Sequence, residues 1–461
     1  MSDEPLGNSG RPENLQGPAS ENLLIKLHHA GKQLVDGNMA EAELAYEIVL
    51  EQEPDNKFAN QLLGGIALQK GDFVRAHKFM SKALAGDPSN EELNSNLGIV
   101  LIKLQRLDEA IQHFAQALAV QPGYAAAHNA LGTALREQGN AEKALIHHIQ
   151  ALAAQPNDHR MRNNYANSLK ELGRSDEAIE QYFTVLESAY DDSDTHYNLG
   201  VLFEFLEQLD RACDHYEKAL KTDPNHPEIN FNLGNVLQSL GQLESAIEKY
   251  KKVIEVMPDH DKAHVNLGHA LLKSDDKRGA EYHWRRTLVI NNEFADAHVN
   301  LALLSFEQGN ISEGWEGFEW RNKAENYESP HRHFPQLNWD GSPLKGKEII
   351  LWGEMGLGDE ISYASMIPDV LRQGGKVTIE CTQRLVPLFT RSFEGAEVYA
   401  APYAPAEDGN RSYDFHSSFP SLGRYLRNAV EDFPSIDDEY IYLKADPSQR
   451  AYWQEQLETL C

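Results

Sequence analysis

Cysteine is nearly absent from this chain, with Cys213, Cys381 and Cys461 the only three in 461 residues. They stand far apart and without metal-ligand spacing. That excludes a disulfide scaffold or zinc module and fits a reducing cytoplasm. Long hydrophobic runs are missing as well. No stretch reaches the roughly 20 apolar residues of a membrane-spanning helix. Residues Met1 to Ser20 have no apolar core and are rich in Gly, Pro, Asn and Glu, so 1–22 reads as a disordered leader rather than a signal peptide. Basic charge is scarce too: 42 Lys and Arg stand against 71 Asp and Glu, a formal net charge of −29. Such a surface repels a phosphate backbone, and no basic stretch with interleaved aromatics offsets it. This argues against nucleic acid as a partner. The acidity serves solubility and suits partners with basic or neutral polar surfaces.

What the chain does have is a period. A Leu-Gly pair recurs every 34 residues, at Leu63-Gly64, Leu97-Gly98, Leu131-Gly132, Leu199-Gly200, Leu233-Gly234 and Leu267-Gly268. His29-Ala30, Tyr165-Ala166 and Leu301-Ala302 keep the register. Twelve residues after the small residue comes another: Ala42, Ala76, Ala110, Ala144, Ala178, Ala212, Ala246, Ala280 and Gly314. Prolines 54, 88, 122, 156, 224 and 258 punctuate the frames twelve residues further on. Nine frames fit from Leu23 to about Glu328 without an insertion.

The pattern predicts a helical hairpin in each frame. In 227–260, Leu233, Gly234 and Leu237 are spaced for one helix face, Gly241 marks a turn, and Ala246, Tyr250 and Val253 are spaced for a second. Small residues let the paired helices approach, and proline ends the second one. One hairpin cannot bury its apolar face, whereas a stack of them can. These residues resemble the tetratricopeptide-repeat (TPR) family. The resemblance implies an α-solenoid over 23–328 that binds another polypeptide.

Directly before the small-residue pair, asparagine recurs at Asn96, Asn164, Asn198, Asn232, Asn266 and Asn300; His28, Leu62 and Ala130 interrupt the series. An amide offers both a donor and an acceptor. A row of amides one position off the core stripe can pair with the backbone of an extended peptide, or equally make hydrogen bonds between repeats. The row resembles the peptide-binding superhelix of O-linked N-acetylglucosamine transferases, which implies the first use.

The ninth frame ends in Gly314-Trp315-Glu316-Gly317-Phe318-Glu319-Trp320-Arg321. Three large aromatics in six residues predict a cap that docks on the carboxyl-terminal segment. A connector, 329–346, contains Pro330, Pro335, Pro343 and Trp339-Asp340-Gly341. From there the period changes. Strands are expected at Glu348–Trp352, Lys376–Cys381, near Glu397–Ala400 and near Tyr413–His416. Helices are expected at about Glu360–Gln373, Val386–Ser392 and Pro447–Leu460. Strand–helix alternation implies a Rossmann-like parallel sheet over 347–461. The loop Gly353–Asp359 lacks dinucleotide spacing, so NAD is not expected. In such a sheet ligands lie where strand order reverses, beyond the carboxyl ends. That brings Glu354, Gly356, Gly358 and Asp359 of one loop to His416, Ser417 and Ser421 of another. Asp359 is also placed for a helix N-cap, and His416 for a structural role.

The cap G-W-x-x-F-E-W-R, the connector W-D-G-x-P-L-x-G-K and the loop G-E-x-G-L-G-D together resemble bacterial TPR-containing glycosyltransferase-like proteins. The G-L-G-D loop is similar to the first loop of ADP-heptose:lipopolysaccharide heptosyltransferases. The likeness implies the amino-terminal half of a GT-B unit, Asp359 as acceptor base, and Glu354 and His416 beside it. It also implies a nucleotide-sugar donor, with no metal and no bound cofactor. The donor-binding half of such a unit is not in these 461 residues, so the chain is expected to be a fragment and inactive alone. Three functions are open: a protein O-glycosyltransferase fed by the repeats, a non-catalytic adaptor, or a transferase acting on glycans, against which the asparagine row argues for a peptide.

Overall fold

The computed structural model describes residues 31–33, 38–324, 327, 334–402, 413–434 and 441–458. The expected leader, His28, His29-Ala30, Pro330 and Cys461 lie outside them. The chain divides into two compact units, Met1–Pro224 and Asn225–Cys461.

The first unit is a run of antiparallel helical hairpins, from the helix Met39–Gln52 through pairs such as Lys57–Gln69 with Phe73–Gly86 to Ser193–Phe205 with Leu209–Ala219. Local chemistry sets the helix starts. The side chains of Asn56, Asp72, Asn90, Asp158 and Asp192 each accept a hydrogen bond from the backbone N–H three residues on, at 2.8–3.1 Å. The small residues Ala42, Ala76, Ala110, Ala144, Ala178 and Ala212 are fully buried. Opposite the Leu-Gly glycines stand large side chains: Met80, Phe114, His148 and Tyr216.

The second unit opens with the same architecture, in the hairpins Pro227–Ser239 with Leu243–Val256 and Asp261–Lys273 with Lys277–Ile290. A Cβ on Gly268 would lie 2.4 Å from the Trp284 indole nitrogen, so only glycine admits that ring. The last pair is Ala295–Glu307 with the shorter helix Ile311–Phe318, which runs into a 3-10 turn at Glu319–Lys323.

Beyond the repeats lies a five-stranded parallel sheet: β1 (Leu337–Asn338), β2 (Glu348–Trp352), β3 (Lys376–Cys381), β4 (Ala396–Ala400) and β5 (Phe415–Ser418), in the order β1-β5-β2-β3-β4. Its core holds Ile349, Leu351, Val377, Ile379, Phe389 and Phe419. Strand order reverses between β5 and β2, the place the alternation pattern indicates.

Four details differ from the sequence-based expectation. The two-residue β1 lies in the connector and pairs with β5. β5 begins two residues later than expected, at Phe415, so His416 and Ser417 are in the strand and not in the loop beyond it. The helix expected over Glu360–Gln373 is three pieces: Leu357–Tyr363, a 3-10 turn at Ala364–Met366, and Ile367–Arg372. Pro368 explains the break, since its ring crowds the carbonyl four residues back, at Ala364. Finally, the first of these pieces starts at Leu357 with Gly356 as its cap. Asp359 is its third residue and accepts a hydrogen bond from the Gly356 N–H at 3.2 Å. It caps from inside the first turn and not from the N-cap position.

Candidate functional site

The crevice between the loops after β2 and β5 is occupied by a side chain of the repeat array itself. Arg321, fully buried, extends from the 3-10 turn after the last repeat. Its Nε donates to Glu354 Oε1 at 2.9 Å, and its Nη2 donates to the same oxygen. Nη2 also donates to Ser418 Oγ and Ser421 Oγ, each at 2.9 Å. Nη1 donates to the Phe318 carbonyl at 2.9 Å and to Glu319 Oε1 at 3.1 Å. Two of the predicted site residues, Glu354 and Ser421, are thus brought together, but by an arginine to which the sequence pattern assigns no role. Arginine suits the place because its planar fork is always charged and reaches several acceptors at once.

Asp359 stands outside these hydrogen bonds and is half-exposed, directly after the exposed Gly358. It lies close enough to Tyr327 and Tyr363 to help burial raise both phenol pKa values. His416 packs against Phe334, with rings 4.6 Å apart and nearly parallel. Its Nδ1 has no hydrogen-bond partner among the described residues, and burial holds its pKa below the usual histidine value. Ser417 is buried and donates to the Ser418 carbonyl at 3.0 Å. A further carboxylate was missed: buried Glu360 accepts from the Thr382 N–H at 2.9 Å and its hydroxyl at 2.6 Å, tying the helix after β2 to the end of β3.

The asparagine row is a second candidate site, and all six of its members are half-buried. Three are already engaged between neighbouring hairpins. The Asn164 amide donates to Asn129 Oδ1 at 3.0 Å, Asn266 to Asn235 Oδ1 at 2.9 Å, and Asn300 pairs with His269 Nε2 at 2.6 Å. Asn232 also has a partner. Among the described residues, the Asn96 and Asn198 side chains make no hydrogen bond. The inter-repeat use of this amide is therefore present, and each engaged side chain keeps its remaining polar capacity. In the second unit a cavity of about 600 Å³ opens beside Asn266, lined by Phe231, Lys262, His269, Phe294 and Lys323. Among the described residues no cluster of three metal-ligating side chains occurs, and no helix is long and apolar enough to cross a membrane.

Comparison with known proteins bears on the helical part. Residues 33–91, 90–157, 147–194, 193–226, 215–248 and 235–275 match the tetratricopeptide-repeat family. Protein FlbA of Caulobacter vibrioides is 32% identical over 183 residues, 35% of this chain and 30% of that protein. The chain thus spans less than a third of this curated relative's length. A tetratricopeptide-repeat protein from Parabacteroides merdae is similar in structure, at 17% identity and a TM-score of 0.48, over 54% of this chain and 99% of that one. YrrB, described as a TPR protein with an unusual peptide-binding site, is 21% identical with a TM-score of 0.31, over 40% of this chain and 95% of its own.

Proposed function

We propose that this tetratricopeptide-repeat chain is a protein-interaction scaffold whose first helices hold an extended polypeptide, with the α/β segment docked as the terminal body of the array. The observation that carries this is the place of Arg321. The crevice at the strand-order reversal, where such sheets take ligands, is filled by a guanidinium with its hydrogen bonds made. The polar capacity left open lies along the repeats instead, at Asn96 and Asn198 and around the cavity beside Asn266. Backbone-directed hydrogen bonds of about 0.5–1.5 kcal/mol each would give affinity without demanding one side-chain sequence. The test is selection of binders from a library of unstructured peptides, followed by hydrogen exchange on the complexes. Protection of the helices Ser193–Phe205 and Asp261–Lys273 supports the reading; protection confined to the second helices of the hairpins overturns it.

A second reading, protein O-glycosyltransferase, has its own observation. Asp359 is half-exposed in the first turn of the helix that follows β2, outside the arginine cluster. There it would accept the proton of a Ser or Thr hydroxyl, while a nucleotide-sugar donor would be held by residues beyond this chain. The assay is sugar transfer by a longer chain carrying a second α/β unit, with and without Asp359→Asn. Undiminished transfer by the Asn form would remove Asp359 from the chemistry.

A further inference from the structure

In seven of the described first helices the fourth residue binds back to the turn that precedes it. Asn60, Asn94, His128, Arg162, His196, His264 and His298 each contact a backbone carbonyl six residues earlier, at 2.6–3.1 Å. At three of these positions, 68 residues apart, the side chain is a histidine that also meets a second histidine from the other helix of its hairpin. Nδ1 of His128 is 3.0 Å from Nδ1 of His147; the distance is 2.9 Å for His196 with His215 and 2.9 Å for His264 with His283. Ring centroids are 5.2, 5.1 and 5.2 Å apart. That is near the largest separation these N···N distances allow, so the rings meet edge to edge, almost in line.

The carbonyls settle where the protons are. A carbonyl only accepts, so the first histidine of each pair donates its Nε2–H to Pro122, Tyr190 or Pro258. Its Nδ1 is then a bare lone pair, and the partner's Nδ1–H donates to it. An in-line gap this short holds a proton. A metal bound to both nitrogens at about 2.0–2.1 Å each would need roughly 4 Å between them in line.

We propose that the three pairs are acid-operated latches, each taking one proton with its Nδ1–Nδ1 bond intact and opening at the second. The first proton adds to Nε2 of the outer ring, His147, His215 or His283, whose Nδ1–H still donates to the neutral inner ring. The second has only the inner Nδ1 to go to. It replaces the acceptor by an N–H, sets two cations edge to edge with their N–H groups opposed, and frees the second helix from the first and from the turn before it. The surroundings oppose both charges. Burial holds His147, His196, His215, His264 and His283 below the ordinary histidine value. Around His196 and His215, Lys218 and Arg211 oppose protonation while Asp214 and Asp191 favour it; Tyr190, Phe183 and Phe203 supply the aromatic walls. Around His264 and His283, Arg286, His260 and Lys251 oppose it, Asp259 and Asp276 favour it, and Tyr282 lies against the His283 ring. For His147 the charged neighbour is His128 alone.

The depressed folded values fix the direction. The latches contribute fully above the unfolded histidine value of about 6.5, and their contribution is lost as pH falls toward 4. The hairpin between the first two pairs provides the control. At the same two positions Arg162 donates to the Pro156 carbonyl and to Gln181, making both bonds with no group that titrates in this range.

The experiment replaces the pairs with that arrangement (H128R/H147Q, H196R/H215Q, H264R/H283Q) in a His148→Phe background, and follows the urea midpoint from pH 7.5 to 4. The latched chain should lose stability across this window and the replaced chain should lose distinctly less. Equal slopes overturn the proposal. Should the sixfold variant fail to fold, ¹⁵N imidazole spectra of the unaltered chain decide. Outer rings titrating before inner ones, with loss of helix contacts only at the second step, support it; independent titration near the ordinary histidine value overturns it. No polypeptide partner enters either measurement.

Discussion

The indole N–H of Trp315 donates to the carbonyl oxygen of Arg427 at 2.7 Å, a buried bond between residues 112 apart in sequence. It holds the last repeat helix against the helix Gly423–Leu426 beyond β5. Gly423 makes the approach possible: a Cβ there would lie 2.2 Å from the indole ring. Gly423→Ala must displace either the ring or the helix, and overpacking of this kind costs about 1–3 kcal/mol. Denaturant unfolding should register that loss, with Trp315 fluorescence shifted toward a solvent-exposed spectrum. An unshifted midpoint would mean the helix end gives way at no cost.

Arg321 supplies the second tie. Removing one member of a buried ion pair leaves the other uncompensated, at about 3–5 kcal/mol. Arg321→Ala should destabilise the second unit by that order, and Arg321→Lys should not restore it, because a single ammonium cannot reach Glu354, Ser418 and Ser421 together. The paired change Arg321→Met with Glu354→Leu should cost less than Arg321→Ala alone. A calorimetric scan of the three variants checks the order.

The turns within hairpins repeat a left-handed residue. It is glycine at Gly71, Gly139, Gly173, Gly241 and Gly309, but Gln105, Glu207 and Asp275 hold it with φ of 61°, 57° and 65°. For residues with a Cβ this conformation costs about 1–2 kcal/mol, partly offset by the greater unfolded entropy of glycine. Gln105→Gly and Glu207→Gly should each stabilise the chain by about 0.5–1 kcal/mol, and Asp275→Gly by less, since aspartate tolerates the region. Thermal midpoints that fall in all three variants would contradict this.

His148 occupies the place held by Phe114 and Tyr182 in neighbouring hairpins, fully buried against Gly132. Its Nδ1 pairs with Ser168 Oγ at 2.8 Å, and burial pushes its pKa down to about 4. The folded state therefore disfavours the proton, and stability falls as pH drops from about 6.5 toward 4, by roughly 3 kcal/mol over the window at 1.36 kcal/mol per unit. His148→Phe should lower the chain's slope by that amount while leaving stability at pH 8 similar or higher, the remainder belonging to the histidine pairs. A slope unchanged by the substitution would assign all of it to other groups.

The 34-residue period made the hairpins legible because each frame repeats the same packing problem, as the buried alanines and the ring opposite Gly268 show. The place of the strand-order reversal was legible from β2, which carries the apolar run of a buried parallel strand, and from the alternation of strands and helices after it; β5, Phe-His-Ser-Ser, gives a weaker signal. What fills the crevice between them was not. Arg321 carries no local signal of burial, since arginine on a terminal helix is ordinarily a solvated charge. Only the fold brings Glu354 and the two serines to it. The helix start near Asp359 is earlier than its sequence suggests, because the aspartate's capping bond is made from inside the helix to Gly356.

The asparagine row separates into members that serve the array and members available to a partner, and substitution should tell them apart. The Asn164, Asn266 and Asn300 side chains hydrogen-bond to a neighbouring hairpin. Replacing these by Ala should lower stability by about 0.5–1.5 kcal/mol each, the net worth of such a bond. Asn96 and Asn198 make no such bond among the described residues, so Asn96→Ala and Asn198→Ala should leave the unfolding midpoint unchanged. If the row grips backbone, the latter two should weaken binding of a selected extended peptide by a factor of roughly 2–10 each, the same hydrogen-bond range read as affinity. Midpoint and affinity measured on all five single variants give a two-way pattern. Stability losses at Asn164, Asn266 and Asn300 with affinity losses at Asn96 and Asn198 support a shared structural and binding row. Unchanged affinity at both Asn96 and Asn198 would leave the asparagines as inter-repeat struts and move the binding surface to the cavity beside Phe231 and Phe294.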